Sequence, residues 1–271
     1  MLSSILLVLG VAVLAMAFRS LDNPICQRLS ALCVLGTTFL LGYLPTGNYV
    51  VGLGAAALWI LVPWFEILTR VRSLRMPVER EFEHQNPPDR DLFPNLDELT
   101  DEIEHEGFEI VNDLGCEWSE QRLFMRLFHR PSDKTQAAVC LVDQGEIAFY
   151  YLTLITRIRD GRVFMTWNYP FSYSLKFLPD THIRRTRPTL PFSSMCVAHG
   201  NLLSEHDIAT DAILKLDPPQ IQVSLQNDLT AQITHNVRAG LLARVDEQNV
   251  RYTWRGMFYL WFRLLWDFVR L

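Results

Sequence analysis

The sequence lacks a basic surplus. Its 25 Lys and Arg stand against 30 Asp and Glu, a formal net charge of −5. A general nucleic-acid binder displaces counterions with a basic face, so no DNA or RNA partner is expected. The cysteines are few and unpaired in number: Cys26, Cys33, Cys116, Cys140 and Cys196 are scattered, which excludes a small secreted disulfide framework. There is no glycine-rich phosphate loop, no HExxH, no GxSxG and no paired CxxC. With 49% hydrophobic residues and 20% charged, the chain is too apolar for disorder, and it has no fibrous period.

What is present is concentrated first at the N-terminus. Leu2–Phe18 and Leu29–Leu44 are uncharged, and Tyr49–Leu68 carries only Glu66. As helices these runs measure roughly 26, 24 and 30 Å, against about 30 Å for a bilayer core. A small soluble core has no room for three such runs within the first 70 residues. Three spans, about 2–18, 29–44 and 49–68, are therefore expected in a membrane anchor over 1–76. They put Arg19 and Arg28 on the same side as Arg70, Arg72, Arg75 and Arg80. The turn Pro45-Thr46-Gly47-Asn48, with no Lys or Arg, falls opposite. The positive-inside rule makes the arginine side cytoplasmic, so the expected location is a multi-pass cell-membrane protein with a cytoplasmic domain. A cleaved signal peptide is the rival, because Ala15-Met16-Ala17 has the small-x-small form of a cleavage site; the usual basic n-region is missing. Pro63 is placed to kink the third span, and Glu66 is expected at its cytoplasmic interface.

Residues 79–120 hold 15 of the acidic residues and only two basic ones, Arg80 and Arg90. With Pro87-Pro88 inside it, 77–94 reads as an acidic linker. Asn95-Leu96-Asp97-Glu98 reads as an N-cap and capping box, with Leu96, Leu99 and Ile103 on one face and Gly107 as the stop. The helix's acidic face, Asp101, Glu102, Glu104, His105 and Glu106, is solvated rather than a metal site; neither a metal nor a cofactor is expected.

Four strands follow: Leu123–His129, Thr135–Val142, Ile147–Ile158 and Arg162–Tyr169. Asp160-Gly161 reads as a two-residue hairpin, pairing Ile158 with Val163, Thr156 with Met165 and Leu154 with Trp167. A helix followed by an antiparallel four-stranded sheet flanked by helices gives an α+β domain over 95–256. One sheet face is expected to be covered. The other, with Trp167, Tyr169, Phe171 and Tyr173, is the candidate ligand or interface surface.

The chemical candidates are sparse. Cys196-Val197-Ala198-His199, with His206 a heptad later, places Cys196, His199 and His206 near one face of a helix, a thiol–imidazole pair or half a metal site; a buried small Cys reads the same way. Arg184, Arg185 and Arg187 form the densest basic cluster, suited to an anion or a headgroup. Ile221, Leu225, Leu229, Ile233, Val237 and Leu241 recur at steps of four in a long helix over 220–245, started by Asp217-Pro218-Pro219.

The run from Gly240-Leu241-Leu242-Ala243-Arg244 to Arg251-Tyr252-Thr253-Trp254-Arg255-Gly256 resembles the wing of winged-helix proteins. That resemblance implies a hairpin between two helices. The preceding helix has no basic face, so no DNA-contacting residue is carried over. Residues 257–271 form an amphipathic helix with Arg263, Asp267 and Arg270 as a narrow polar stripe. Trp261, Arg263, Trp266 and Arg270 are its candidate membrane-interface residues, and docking onto the protein itself is the alternative. The expected function is a membrane-tethered interaction or accessory domain with the bilayer, and a protein in a membrane complex, as partners. The alternatives are a membrane-surface enzyme and a small-molecule sensor.

Overall fold

The computed structural model describes residues 2–20, 24–118, 121–145, 147–171 and 173–270, with the side chains of 2–4, 24, 27 and 267–270 outside the description. Two compact units result. Unit 1 comprises 1–74, 172–174 and 251–271; unit 2 comprises 75–171 and 175–250.

Unit 1 is helical. α1 (Leu2–Arg19), α2 (Pro24–Thr46) and α3 (Tyr49–Glu66) match the three apolar runs, and α3 continues into a π-helical turn, Ile67–Val71. Two of these helices, over Arg28–Thr46 and Tyr49–Val71, are long and apolar enough to cross a membrane. The first run is shorter over its described side chains, Ile5–Arg19, so the expectation of three spans is reduced to two of that length. Asn48 caps α3 through its side chain, which accepts from Val50 N at 2.9 Å. α2 and α3 approach closely at glycines: a Cβ on Gly42 would lie 2.9 Å from Val51 O, and one on Gly52 would lie 2.8 Å from the Phe39 ring. Trp59 Nε1 donates to Thr38 Oγ1 across the same pair at 2.8 Å. The Ser30 hydroxyl donates to Ala15 O, tying α2 to α1. α7 (Trp254–Arg270) also belongs to unit 1 and packs on α2 and α3.

Unit 2 is α+β, and its main sheet has seven strands, not four. In chain order the strands are β1 (Met76–Pro77), β2 (Glu83–His84), β3 (Glu109–Trp118), β4 (Gln121–Arg130), β5 (Thr135–Asp143), β6 (Ala148–Arg157), β7 (Val163–Trp167), β8 (Thr181–Arg185), β9 (Leu242–Arg244) and β10 (Asn249–Tyr252). The large sheet runs β2-β3-β4-β5-β6-β7-β8, antiparallel except for the parallel β7–β8 pair. The helices are α4 (Leu96–His105), α5 (Phe192–Ser204) and α6 (Pro218–Arg238). A small sheet of order β1-β10-β9 contains the expected hairpin between α6 and α7.

Both faces of the large sheet are covered, which corrects the expectation of one open face. On one side Phe124, Phe128, Val139, Leu141, Leu152 and Leu154 pack with Leu96 and Ile103 of α4 and Phe192 and Met195 of α5. On the other Leu123, Met125, Leu127, Cys140 and Val142 pack with Ile221 of α6, and Leu225 and Leu229 close over them. β5 is accordingly buried from Thr135 through Val142, the pattern of a strand sandwiched between layers. α6 begins with a capping box of Asp217 and Gln220 and ends at Arg238, short of the expected 245, because Gly240 turns at φ +71° into β9. α4 has its expected limits and its Gly107 stop at φ +83°, but Asn95 makes no side-chain cap.

The β6–β7 register is one residue away from the expected pairing. Arg157 faces Val163, Thr156 faces Phe164 and Leu154 faces Thr166. The end of β6 is drawn elsewhere: Ile158 bridges to Ile213 and is buried with Phe164 and Leu202. The turn therefore widens, with Ile158 N donating to Arg162 O at 2.9 Å and Gly161 at φ +96°. A slip of one residue exchanges faces in β7, which puts Trp167 with Thr153 and sends Thr166 to the α5 side.

The segment 77–94 is not a free spacer. Phe82 and Phe93 are buried, Met76 and Pro77 pair with Val250 and Asn249, and Glu83 and His84 pair with Gly115 and Leu114. Apolar anchors spaced along an acidic strap hold it to unit 2.

Candidate functional site

His199 sits on α5 at 2% exposure. Its Nε2 lies 2.9 Å from Thr156 Oγ1 and its Nδ1 2.9 Å from Thr166 Oγ1; Thr135 Oγ1 extends the chain to Thr156 at 3.2 Å. A neutral imidazole donates to one hydroxyl and accepts from the other, so every ring nitrogen is used. Burial pushes its pKa down to about 4. Cys196, one turn earlier, is half-buried beside the sheet core, and burial raises its thiol to about 11, the Arg130 guanidinium opposing the rise. His206 lies past the end of α5. Its Nδ1 is 3.0 Å from Leu202 O, and its ring meets His182 at 4.6 Å and Phe164 at 5.1 Å. The three residues thus occupy three different settings. Among the described residues no group of three His, Cys, Asp or Glu is placed to hold a metal ion. Glu102 of the acidic helix accepts from Phe192 N at 2.7 Å, which ties α4 to the start of α5.

Two arginines of the basic cluster bind the fold itself. Arg184 donates to Ala198 O at 3.1 Å and pairs with Glu205, holding the end of α5 against β8. Arg185 donates to Tyr169 O at 3.1 Å and Pro170 O at 2.9 Å. Arg187 is exposed beyond β8. The Arg184 and Arg185 guanidinium groups go to different partners.

Of the aromatic candidates, the structure brings together Trp167, Tyr169 and Phe171, and adds Phe149, Tyr151 and Phe177, which sequence reasoning did not single out. Trp167 stacks on Tyr169 at 5.2 Å, Tyr151 meets Tyr169 edge-on at 4.9 Å, and Phe149 meets Phe171 at 4.8 Å. Rings filling one another's edges make a packed cluster, not an open slot, and burial raises the Tyr169 phenol above its ordinary range. Phe171 is exposed at its edge, and Tyr173 groups with unit 1. Ser172 lies outside the described residues.

A concavity lies elsewhere on unit 2, where the strap 77–85 passes the end of β3 and the β9–β10 hairpin. It encloses about 960 Å³. Arg80 lies over the Trp118 ring at 4.1 Å with its Nε shielded and unpaired, while Glu79, Glu81, Glu117 and Glu247 stand around the rim. Gln85 folds over Gly115, its Oε1 1.5 Å from where a Cβ would be, so a side chain there would displace the end of Gln85. Reading 77–94 as a spacer hid this wall. The signal was the pair Phe82 and Phe93, apolar residues set in an acidic run.

In unit 1, the expected interface residues divide. Trp261 is half-buried and its Nε1 donates to Ile60 O at 2.9 Å; Trp266 is exposed; Arg263 is partly covered, with Nε unpaired. The side chain of Arg270 lies outside the described part of the chain.

Comparison with protein-family models, with curated proteins and with solved structures finds no match to this chain.

Proposed function

We propose that the chain is a membrane-anchored interaction or accessory module. The α2–α3 hairpin, with α1 beside it, holds the protein in a bilayer, and unit 2 serves as a noncatalytic binding domain on the cytoplasmic side. One observation carries this reading: the large apolar side chains of these helices point outward. Val50 is 74% exposed and Phe65 70%, with Leu53, Leu58, Leu61 and Val62 exposed between them. A soluble protein buries such helices, whereas lipid tails are the natural cover for apolar surface on this scale. The sidedness follows from the arginines at 28, 70 and 72, and does not depend on whether α1 crosses. The noncatalytic reading is supported by His199, Arg184 and Arg185, each hydrogen-bonded within the fold.

Topology is tested by cysteine labelling of whole cells with an impermeant maleimide, the wild type giving the background. T46C should react from outside and D133C only after lysis; the reverse reverses the orientation. The binding role is tested by photo-crosslinkers placed at Gln85 and Gln248, beside the unit 2 concavity. They should give a discrete adduct in intact cells that a crosslinker at Asp207 does not. Absence of an adduct at every position on unit 2 would remove the interaction role.

A further inference from the structure

α7 repeats Trp254, Phe258, Phe262 and Trp266 at steps of four. All four are exposed, by 46% to 60%, although each is large and apolar. Gly256, Met257 and Leu260, on the other side of the helix, are buried. The contacts with α3 give the direction of α7. Arg72 lies over the Trp254 ring at 5.5 Å, Trp64 stacks on Phe258 at 4.7 Å, and Trp261 reaches Ile60 O at 2.9 Å. Contacts advancing along α7 therefore retreat from the turn after α3 back along α3, from 72 to 64 to 60. The two helices run antiparallel here. Residues 72 and 60 are about 18 Å apart along a helix, so α7 travels back from the charged end of α3 into its apolar run.

We propose that α7 re-enters the leaflet alongside α3, its outward aromatic stripe facing acyl chains, and that Arg70, Arg72 and Arg255 at its shallow end engage anionic phospholipid headgroups. This rests on the membrane reading above and adds the depth of α7 and the charge of the lipid it meets. Three observations select lipid as the cover. Phe258 of the stripe stacks on Trp64 of α3, whose own large apolar side chains are exposed. Arg70, Arg72 and Arg255 are exposed at the shallow end, which complements an anionic surface. Arg263, a little over two turns further in, has a shielded and unpaired Nε, the setting from which a long side chain snorkels back toward headgroups. The sequence places Asp267 and Arg270 beyond it, charges that stop α7 from crossing.

The test uses the full chain reconstituted in phosphatidylcholine vesicles, with and without phosphatidylglycerol. Emission lost in Trp254→Phe and in Trp266→Phe assigns the signal of each ring. Trp254 should be quenched best by phospholipid brominated near the headgroup, and Trp266 by phospholipid brominated further down the chain. Brominated phosphatidylglycerol at low fraction should quench Trp254 as though enriched about threefold or more over brominated phosphatidylcholine, and R70Q/R72Q/R255Q should bring that ratio close to one. Retention through an alkaline wash with Trp266 open to aqueous acrylamide would overturn the insertion of α7 while leaving the anchor standing. Shielding of Trp266 from both acrylamide and bromine would overturn it in favour of a protein cover. Equal quenching by the two brominated headgroups would overturn the anionic preference. Release of the chain by the wash would overturn the anchor, and α7's insertion with it.

Discussion

His199 holds three elements together through one buried ring. Its two threonine partners lie on adjacent strands, so the ring stitches β6 and β7 to α5. The pKa of about 4 lies below the unfolded value near 6.5, so the unfolded chain takes up a proton first as pH falls. Stability from this group is intact above about pH 6.5 and is lost between there and about pH 4. On these values the loss at pH 5 is about 2 kcal/mol. Denaturant melts of the detergent-solubilised full chain at pH 7 and pH 5 should show it, and His199→Gln should show a smaller difference between the two pH values. An equal pH effect in both proteins would mean that His199 is not the titrating group.

Arg126 is a buried charge in unit 2. Its guanidinium is bidentate to Asp113, at 2.9 and 2.8 Å, and also donates to the Thr100 hydroxyl at 3.0 Å. Arg126→Ala leaves a buried carboxylate alone and should cost about 3–5 kcal/mol. Adding Asp113→Leu should recover much of that in the same melts, because no unpaired charge then remains. A double variant no more stable than the single would contradict the pairing.

At the scale of elements, the close approach of α2 and α3 depends on having no side chain at Gly52. Gly52→Leu should force the Phe39 ring away and lower the thermal transition in detergent by about 4 °C or more, whereas Gly54→Leu, where nothing lies within 4 Å, should not. Elements with a strong local signal were legible: the three apolar helices, α4 with its Gly107 stop, and the strands around 123–167. What escaped was set by distant partners. β3 mixes charge and glycine and shows no clean alternation; it is a strand because β4 pairs along its length. β8 is five residues with two arginines, held by β7 and by the tail of α5. The β6–β7 turn followed Ile158 to its bridge with Ile213 rather than the local Asp160-Gly161 preference. The settings of the candidate residues escaped for the same reason: spacing put Cys196, His199 and His206 in order along the chain, but what surrounds each one lies on other elements.

At the scale of the whole molecule, the two units spend their apolar residues differently. Unit 2 sandwiches them between a sheet and helices on both faces. Unit 1 turns them outward along α1, α2, α3 and α7. That outward surface in water would drive aggregation, and a bilayer removes the cost. The most direct measurement is flotation of membranes carrying the full chain after treatment with alkaline carbonate. The chain should rise with the lipid, as a protein held by hydrophobic spans does. Recovery of the chain in the dense soluble fraction, free of detergent and unaggregated, would show that protein rather than lipid covers these helices and would contradict the anchor.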